Sequence, residues 1–177
     1  MEKPKIPVDL IIKHLAEEAE QAQERAQKAS DILLGSLETS IATTPYDVVF
    51  EEDRVKLKHY HTPATDESEI KTPLLVVYAL INRETMLDLQ PERSVVKNFL
   101  ANGINLYMID WGYPTVADQF SDIDDYADYL DKCVDHIREA RQVDSVSLHG
   151  YCLGGTLSAV YASIRPVNVK NLVLQAA

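Results

Sequence analysis

The stretch Ser145–Ala162, SVSLHGYCLGGTLSAVYA, passes from β-branched and apolar residues through a glycine cluster into a run of small and apolar residues suited to a helix. Strand, tight turn and helix in that order predict one βα unit of an α/β fold. At the turn stands Cys152, inside Gly150-Tyr151-Cys152-Leu153-Gly154-Gly155. In a G-x-S-x-G elbow the nucleophile occupies such a turn and is lifted to the carboxyl edge of the sheet. Small residues are needed two positions before and after it, because strand and helix approach closely there. Gly150 and Gly154 hold those places, and Gly155 adds room. A helix N-terminus also favours the thiolate of a cysteine placed on it. Cys152 is therefore the candidate nucleophile, and the backbone N–H of Leu153 is one candidate oxyanion donor. A second donor is expected from the loop after an earlier strand, Ala79 to Asn82, with Ile81 and Asn82 as its candidates.

Outward from the elbow, the chain from Pro73 alternates strand and helix. "PLLVVYALI" (Pro73–Ile81) is a continuous apolar run, as expected of a strand covered on both faces. "PERSVVKNFLANG" predicts a helix with Pro91 in its first turn, Val95, Val96, Phe99 and Leu100 inward, and a stop at Gly103. "INLYMIDWG" reads as a second buried strand. "SDIDDYADYLDKCVDHIREARQ" predicts a helix opened by Ser121 and Asp124 at capping-box spacing, with Ile123, Ala127, Leu130, Val134 and Ile137 inward. Cys133 borders that face and reads as a structural thiol. After the elbow helix, "VKNLVLQAA" is a last strand. Repeated βα units predict a parallel sheet with right-handed crossovers and flanking helices, an α/β-hydrolase-like fold truncated after the strand that follows the elbow. Asp110 and Trp111 fall at a strand's carboxyl end, where substrate loops gather in open sheets. They are substrate-side candidates, or Asp110 only anchors its loop through backbone hydrogen bonds.

Upstream, "YDVVFEEDRVKLKHYHT" carries two alternating runs around Glu52-Asp53 and predicts an antiparallel hairpin. Val55, Leu57, His59 and His61 share one face of it. A His-x-His pair on a strand can ligate zinc, but no third ligand is evident, and no metal site is expected. Residues 1–35 stand apart: Val8, Ile12, Leu15, Ala19, Ala22, Ala26, Ala29 and Leu33 form a narrow seam at heptad spacing, closed by Gly35. That helix either packs on its own domain or docks a partner, since an alanine seam permits close approach. Residues 36–45 read as a linker, and residues 46–177 as the N-terminal portion of the catalytic domain.

The balance of charge narrows the possible partners. A net charge of −11 argues against a nucleic-acid surface, which needs a basic patch. No apolar run is long enough to span a bilayer, and none resembles a signal peptide. Two cysteines make no disulfide framework and fit a reduced, cytoplasmic setting. The elbow lacks its base, however. Enzymes of this type carry Asp or Glu and then His after the nucleophile, and none of these occurs between Leu153 and Ala177. His149 precedes Cys152 on the strand and is placed to support the elbow rather than to take its proton. The chain is therefore expected to be the N-terminal part of a longer enzyme, inactive by itself and poorly soluble at its open sheet edge.

Four blocks in order resemble the catalytic subunit of the two-subunit, class III polyhydroxyalkanoate synthases: Val77–Gly103, "YMIDWGYP" (Tyr107–Pro114), Asp124–Glu139 and "GYCLGGT" (Gly150–Thr156). The resemblance implies polymerisation of (R)-3-hydroxyacyl-CoA into a polyester through a cysteine thioester. Coenzyme A is then the leaving group, and no cofactor is required. It also implies a second, non-catalytic subunit as partner of the N-terminal helix, and a place at cytoplasmic polyester granules. Of the family's catalytic residues only the nucleophile carries over, to Cys152. Two other readings remain: a dienelactone-hydrolase-like cysteine hydrolase, whose elbow can also read Gly-Tyr-Cys-Leu-Gly-Gly, and a non-catalytic fragment in an assembly.

Overall fold

The alternating residues after Pro45 pair as their pattern requires. Strand β1 (Tyr46–Glu52) folds back on β2 (Val55–Tyr60) through a turn at Asp53 and Arg54, with Glu52 opposite Val55. The computed structural model describes residues 41–62 and 69–177, together with Glu18 and Arg25, each helical and exposed. The rest of the heptad seam, and with it the N-terminal helix reading, lies outside the described residues. Ile41–Pro45, at the end of the expected linker, is anchored: the Thr44 N–H and hydroxyl donate to the Asp88 carboxylate at 2.8 and 2.9 Å.

The strands that follow are β3 (Ile70–Val77), β4 (Asp88–Gln90), β5 (Arg93–Ser94), β6 (Ile104–Asp110), β7 (Val146–Tyr151) and β8 (Val169–Gln175). Six of them form one sheet in the order β1-β2-β6-β3-β7-β8, parallel from β6 to β8 and antiparallel from β1 to β6. Helix α1 (Val95–Ala101) covers one face, burying Val96 and Leu100 against Val76, Leu106 and Met108. Helices α2 (Ile123–Arg141) and α3 (Leu153–Ile164) cover the other, where Leu130, Val134, Leu157 and Tyr161 meet Leu75, Val77, Ile109 and Leu148. Central strands thus bury both faces, which is why β3 and β6 read as unbroken apolar runs. At the outer edge, β8 leaves Leu172, Val173 and Leu174 exposed.

Several boundaries differ from the sequence expectation. The apolar run from Pro73 stays a strand only to Val77; Tyr78–Arg83 is loop. Pro91 is not in a helical first turn. It sits with Glu92 in the turn of the small β4–β5 ribbon, and α1 begins later because the Ser94 hydroxyl accepts the Lys97 N–H at 2.9 Å and caps it. The α2 cap is Asp122, in a reciprocal pair with Asp125, rather than Ser121 with Asp124. Ser121 is already spent closing the preceding 3-10 turn, its N–H donating to the Asp118 carbonyl at 3.0 Å. Ile123 is exposed in consequence, and Cys133 takes a fully buried place on the inner face.

Candidate active site

The elbow is built by β7 entering and α3 leaving. Cys152 has φ 53° and ψ −128°, a region that L residues seldom occupy, and it is solvent-exposed. Such a conformation costs about 1–3 kcal/mol and persists only where its surroundings impose it. Here the Cys152 N–H donates to the Gln175 carbonyl of β8 at 2.8 Å, and the Gly155 N–H donates to the Cys152 carbonyl at 2.8 Å. The glycines permit the close approach. A Cβ on Gly150 would lie 2.7 Å from both the Gly154 carbonyl oxygen and Ser158 Oγ. One on Gly154 would lie 2.6 Å from the Tyr78 carbonyl oxygen and nearer still to that of Val77. Gly155 is less crowded: a Cβ there would lie 3.2 Å from the Gly150 carbonyl oxygen and 2.6 Å from the Ala177 side chain.

The contact at Gly154 brings the second predicted loop alongside. β3 and β7 are parallel neighbours with Val77 opposite Gly150, so the chain leaves β3 beside the elbow. Tyr78 and Tyr151 stack at 5.2 Å between ring centroids. Burial, then the neighbouring Tyr151 and Cys152, holds the Tyr78 hydroxyl above its ordinary pKa, so it remains a proton donor at neutral pH. Leu153 opens α3, and the N–H groups of a first helical turn have no partner within their helix. Ile81 and Asn82 lie on an exposed loop, Ile81 being 93% accessible.

Asp110 ends β6, on the other side of β3, and Trp111 follows it. The Trp111 indole N–H donates to the Tyr78 carbonyl at 3.0 Å, which binds the exit of β3 to the exit of β6. Asp110 Oδ1 accepts the Gly112 N–H at 3.0 Å, and Oδ2 lies 2.9 Å from the Lys58 ammonium. Ile81, Asn82, Asp110 and Trp111 line one cavity of about 360 Å³, which Cys152 and Leu153 do not reach. A larger apolar cavity of about 710 Å³ lies on the α1 side, bounded by Tyr78, Phe99, His149 and Tyr151 among others.

Among the described residues no imidazole or carboxylate bonds to the Cys152 thiol. His149 Nε2 lies 2.9 Å from Gln175 Oε1 and its ring meets Phe99 edge-on, so it ties β7 to β8 beneath the elbow. His59 stacks on Tyr107 and lies 2.9 Å from Arg141. Burial and that guanidinium keep its pKa below the ordinary histidine value. His61 pairs with Asp47, and His136 packs on Phe50. Cys133 is fully buried, which pushes its thiol up to about 12 and makes it inert as a nucleophile.

Two features escaped the sequence. Tyr151 inside the hexapeptide reads as a variable position, and its partner Tyr78 is visible only once β3 and β7 are known neighbours. Lys58 sits in an alternating strand where a lysine normally marks the solvent side. It is buried instead, between Glu84 and Asp110.

Fold and elbow together define an α/β hydrolase, and residues 72–177 match the family described as alpha/beta hydrolase fold. The metagenomic alpha/beta hydrolase MGS-MChE2 from lagoon sediments superposes with a TM-score of 0.50 at 18% identity, over 72% of this chain and 51% of that one, a likeness of fold alone. Residues 8–99 match a narrower family, and the chain belongs to it: "Poly-beta-hydroxybutyrate polymerase (PhaC) N-terminus". It is 44% identical over 162 residues to a poly(3-hydroxyalkanoate) polymerase subunit PhaC of Haloferax mediterranei, covering 91% of this chain and 32% of that protein. To the subunit of the same name from Thiocystis violacea it is 42% identical over 168 residues, covering 94% and 47%. The chain thus spans half or less of these relatives.

Proposed function

We propose that this chain carries the nucleophile half of a polyester synthase, with Cys152 as the residue acylated by (R)-3-hydroxyacyl-CoA. The observation that supports it most is the conformation of Cys152: an exposed thiol on a strained strand-to-helix turn, with the N-terminus of α3 behind it. The thiolate attacks the thioester carbonyl carbon, and the carbonyl oxygen takes the negative charge. The N–H of Leu153 and one from the Ala79–Asn82 loop, which leaves β3 beside the elbow, stabilise that oxyanion. The carbon–sulfur bond to coenzyme A then breaks, CoA leaves as thiolate and is protonated by solvent, and a cysteine thioester remains. Thioester is exchanged for thioester, so the acyl group stays activated for attack by the hydroxyl of the next unit. That second step needs a base, which no described side chain at the elbow supplies.

The polymerase names of the relatives and the match over residues 8–99 favour this reaction over a dienelactone-type hydrolysis ending in water. Incubation of the full-length protein with (R)-3-hydroxybutyryl-CoA and, separately, with a dienelactone, followed by peptide mapping, separates the two. Adducts at Cys152 from the CoA thioester alone are expected; adducts from the dienelactone alone would overturn the reading. Residues 1–35 are assigned to a second synthase subunit at the granule surface, in the cytoplasm. Deleting them should abolish co-purification with that subunit. Among the described residues no helix is long and apolar enough to cross a membrane.

A further inference from the structure

Four charged side chains are gathered at the β2 and β6 edge of the site. The Lys58 ammonium donates to Glu84 Oε1 at 2.6 Å and lies 2.9 Å from Asp110 Oδ2. Arg83 approaches the same two carboxylates, 3.4 Å from Glu84 and 3.3 Å from Asp110. Lys58, Glu84 and Asp110 are all buried. Buried ion clusters add little net stability, because desolvation offsets the attraction, and apolar residues of similar volume usually serve as well. What such a cluster does supply is position. The loop Tyr78–Arg83 has little packing of its own at Ile81 and Asn82, yet it is pinned at both ends. Trp111 holds the Tyr78 carbonyl at the start, and the Lys58–Glu84–Asp110 cluster holds the finish.

We propose that Lys58, on a strand three places from the elbow strand, is a positioning residue for acyl transfer: through Glu84 and Asp110 it fixes the loop that presents the second oxyanion donor to Cys152. This rests on the acyl-enzyme reading of Cys152. Burial works against the Lys58 ammonium, but hydrogen bonds and charge from Glu84 and Asp110 outweigh it and raise the lysine's pKa, so Lys58 stays charged at neutral pH.

Two reactions of the same thiol separate positioning from structure. Acylation by a simple thioester, S-phenyl thioacetate, passes through a tetrahedral oxyanion; alkylation by iodoacetamide is displacement at a saturated carbon and forms none. Both are followed at Cys152 by peptide mapping at about pH 9, where ordinary thiols ionise without a base. In Lys58→Met, acylation should fall about 10–100-fold, with alkylation within about twofold of wild type, and Lys58→Arg should restore most of the loss. If Lys58→Met does not fold, Lys58→Met/Glu84→Gln removes the charge pair together and is expected to show the same split. Unchanged acylation, or equal loss of both reactions in the folded variant, overturns the proposal. A wild-type protein that is alkylated but never acylated also overturns it. One acylated by S-phenyl thioacetate but not by the hydroxyacyl-CoA refutes the proposed substrate, while the ratio still decides the role of Lys58.

Discussion

Gly154 lies so close to the carbonyl of Val77 that no side-chain carbon fits between them: a Cβ would fall 2.6 Å from the adjacent Tyr78 carbonyl and closer to Val77. The start of α3 is thereby pressed against the exit of β3, and the two candidate oxyanion segments become neighbours through backbone contact. Gly154→Ala is expected to cost about 3 kcal/mol, the upper part of the range for overpacking, because both obstructing atoms are backbone. Denaturant unfolding gives the size. A change under about 0.5 kcal/mol would mean the helix can back away freely.

Cys133 and Cys152 should respond oppositely to iodoacetamide. In the native protein at pH 8, Cys152 is modified while Cys133 is protected, since its thiol is buried and held up to about 12. Peptide mapping before and after denaturation checks this. Cys133→Ala should keep acylation and cost about 1–2 kcal/mol of stability by the volume removed from the core.

The Asp110 carboxylate gives a pH signature with a definite sign. Burial opposes its charge, but Lys58, the Gly112 N–H and Arg83 outweigh that and lower its pKa below the ordinary value. Such a group stabilises the fold above its unfolded pKa of about 3.9, and the contribution is lost as pH falls through the depressed folded value. Between pH 6 and pH 3, wild type should therefore lose more stability than Asp110→Asn. Equal losses in urea titrations at the two pH values would contradict the pairing.

Trp111→Phe keeps most of the buried ring but leaves the Tyr78 carbonyl without its 3.0 Å donor. A loss of about 1–3 kcal/mol is expected, the cost of an unsatisfied buried acceptor. Because the freed segment begins the oxyanion loop, thioester acylation of Cys152 should slow more than its alkylation.

The parallel core was legible because its signals are local. Apolar runs bounded by turns marked β3, β6 and β7, and the spacing of Gly150, Cys152 and Gly154 marked the elbow. Boundaries were read less well where two residues compete for one role. Ser121 and Asp122 are both good caps, and only the preceding 3-10 turn decides between them. Pro91 suits a first helical turn as well as a ribbon turn, and the pairing of Asp88 with Ser94 settles it. The Lys58 cluster was invisible for a different reason. Its members come from β2, a 3-10 turn and β6, and nothing local says that a lysine between Leu57 and His59 has two carboxylates waiting for it.

The claim that Cys152 is the acylated residue is tested most directly by mass spectrometry of the protein after exposure to (R)-3-hydroxybutyryl-CoA at about pH 9. The account predicts one hydroxybutyryl adduct per chain, mapped to Cys152, released by neutral hydroxylamine as a thioester is, and absent from Cys152→Ala. An adduct that persists in Cys152→Ala, or none in the wild type, would contradict it.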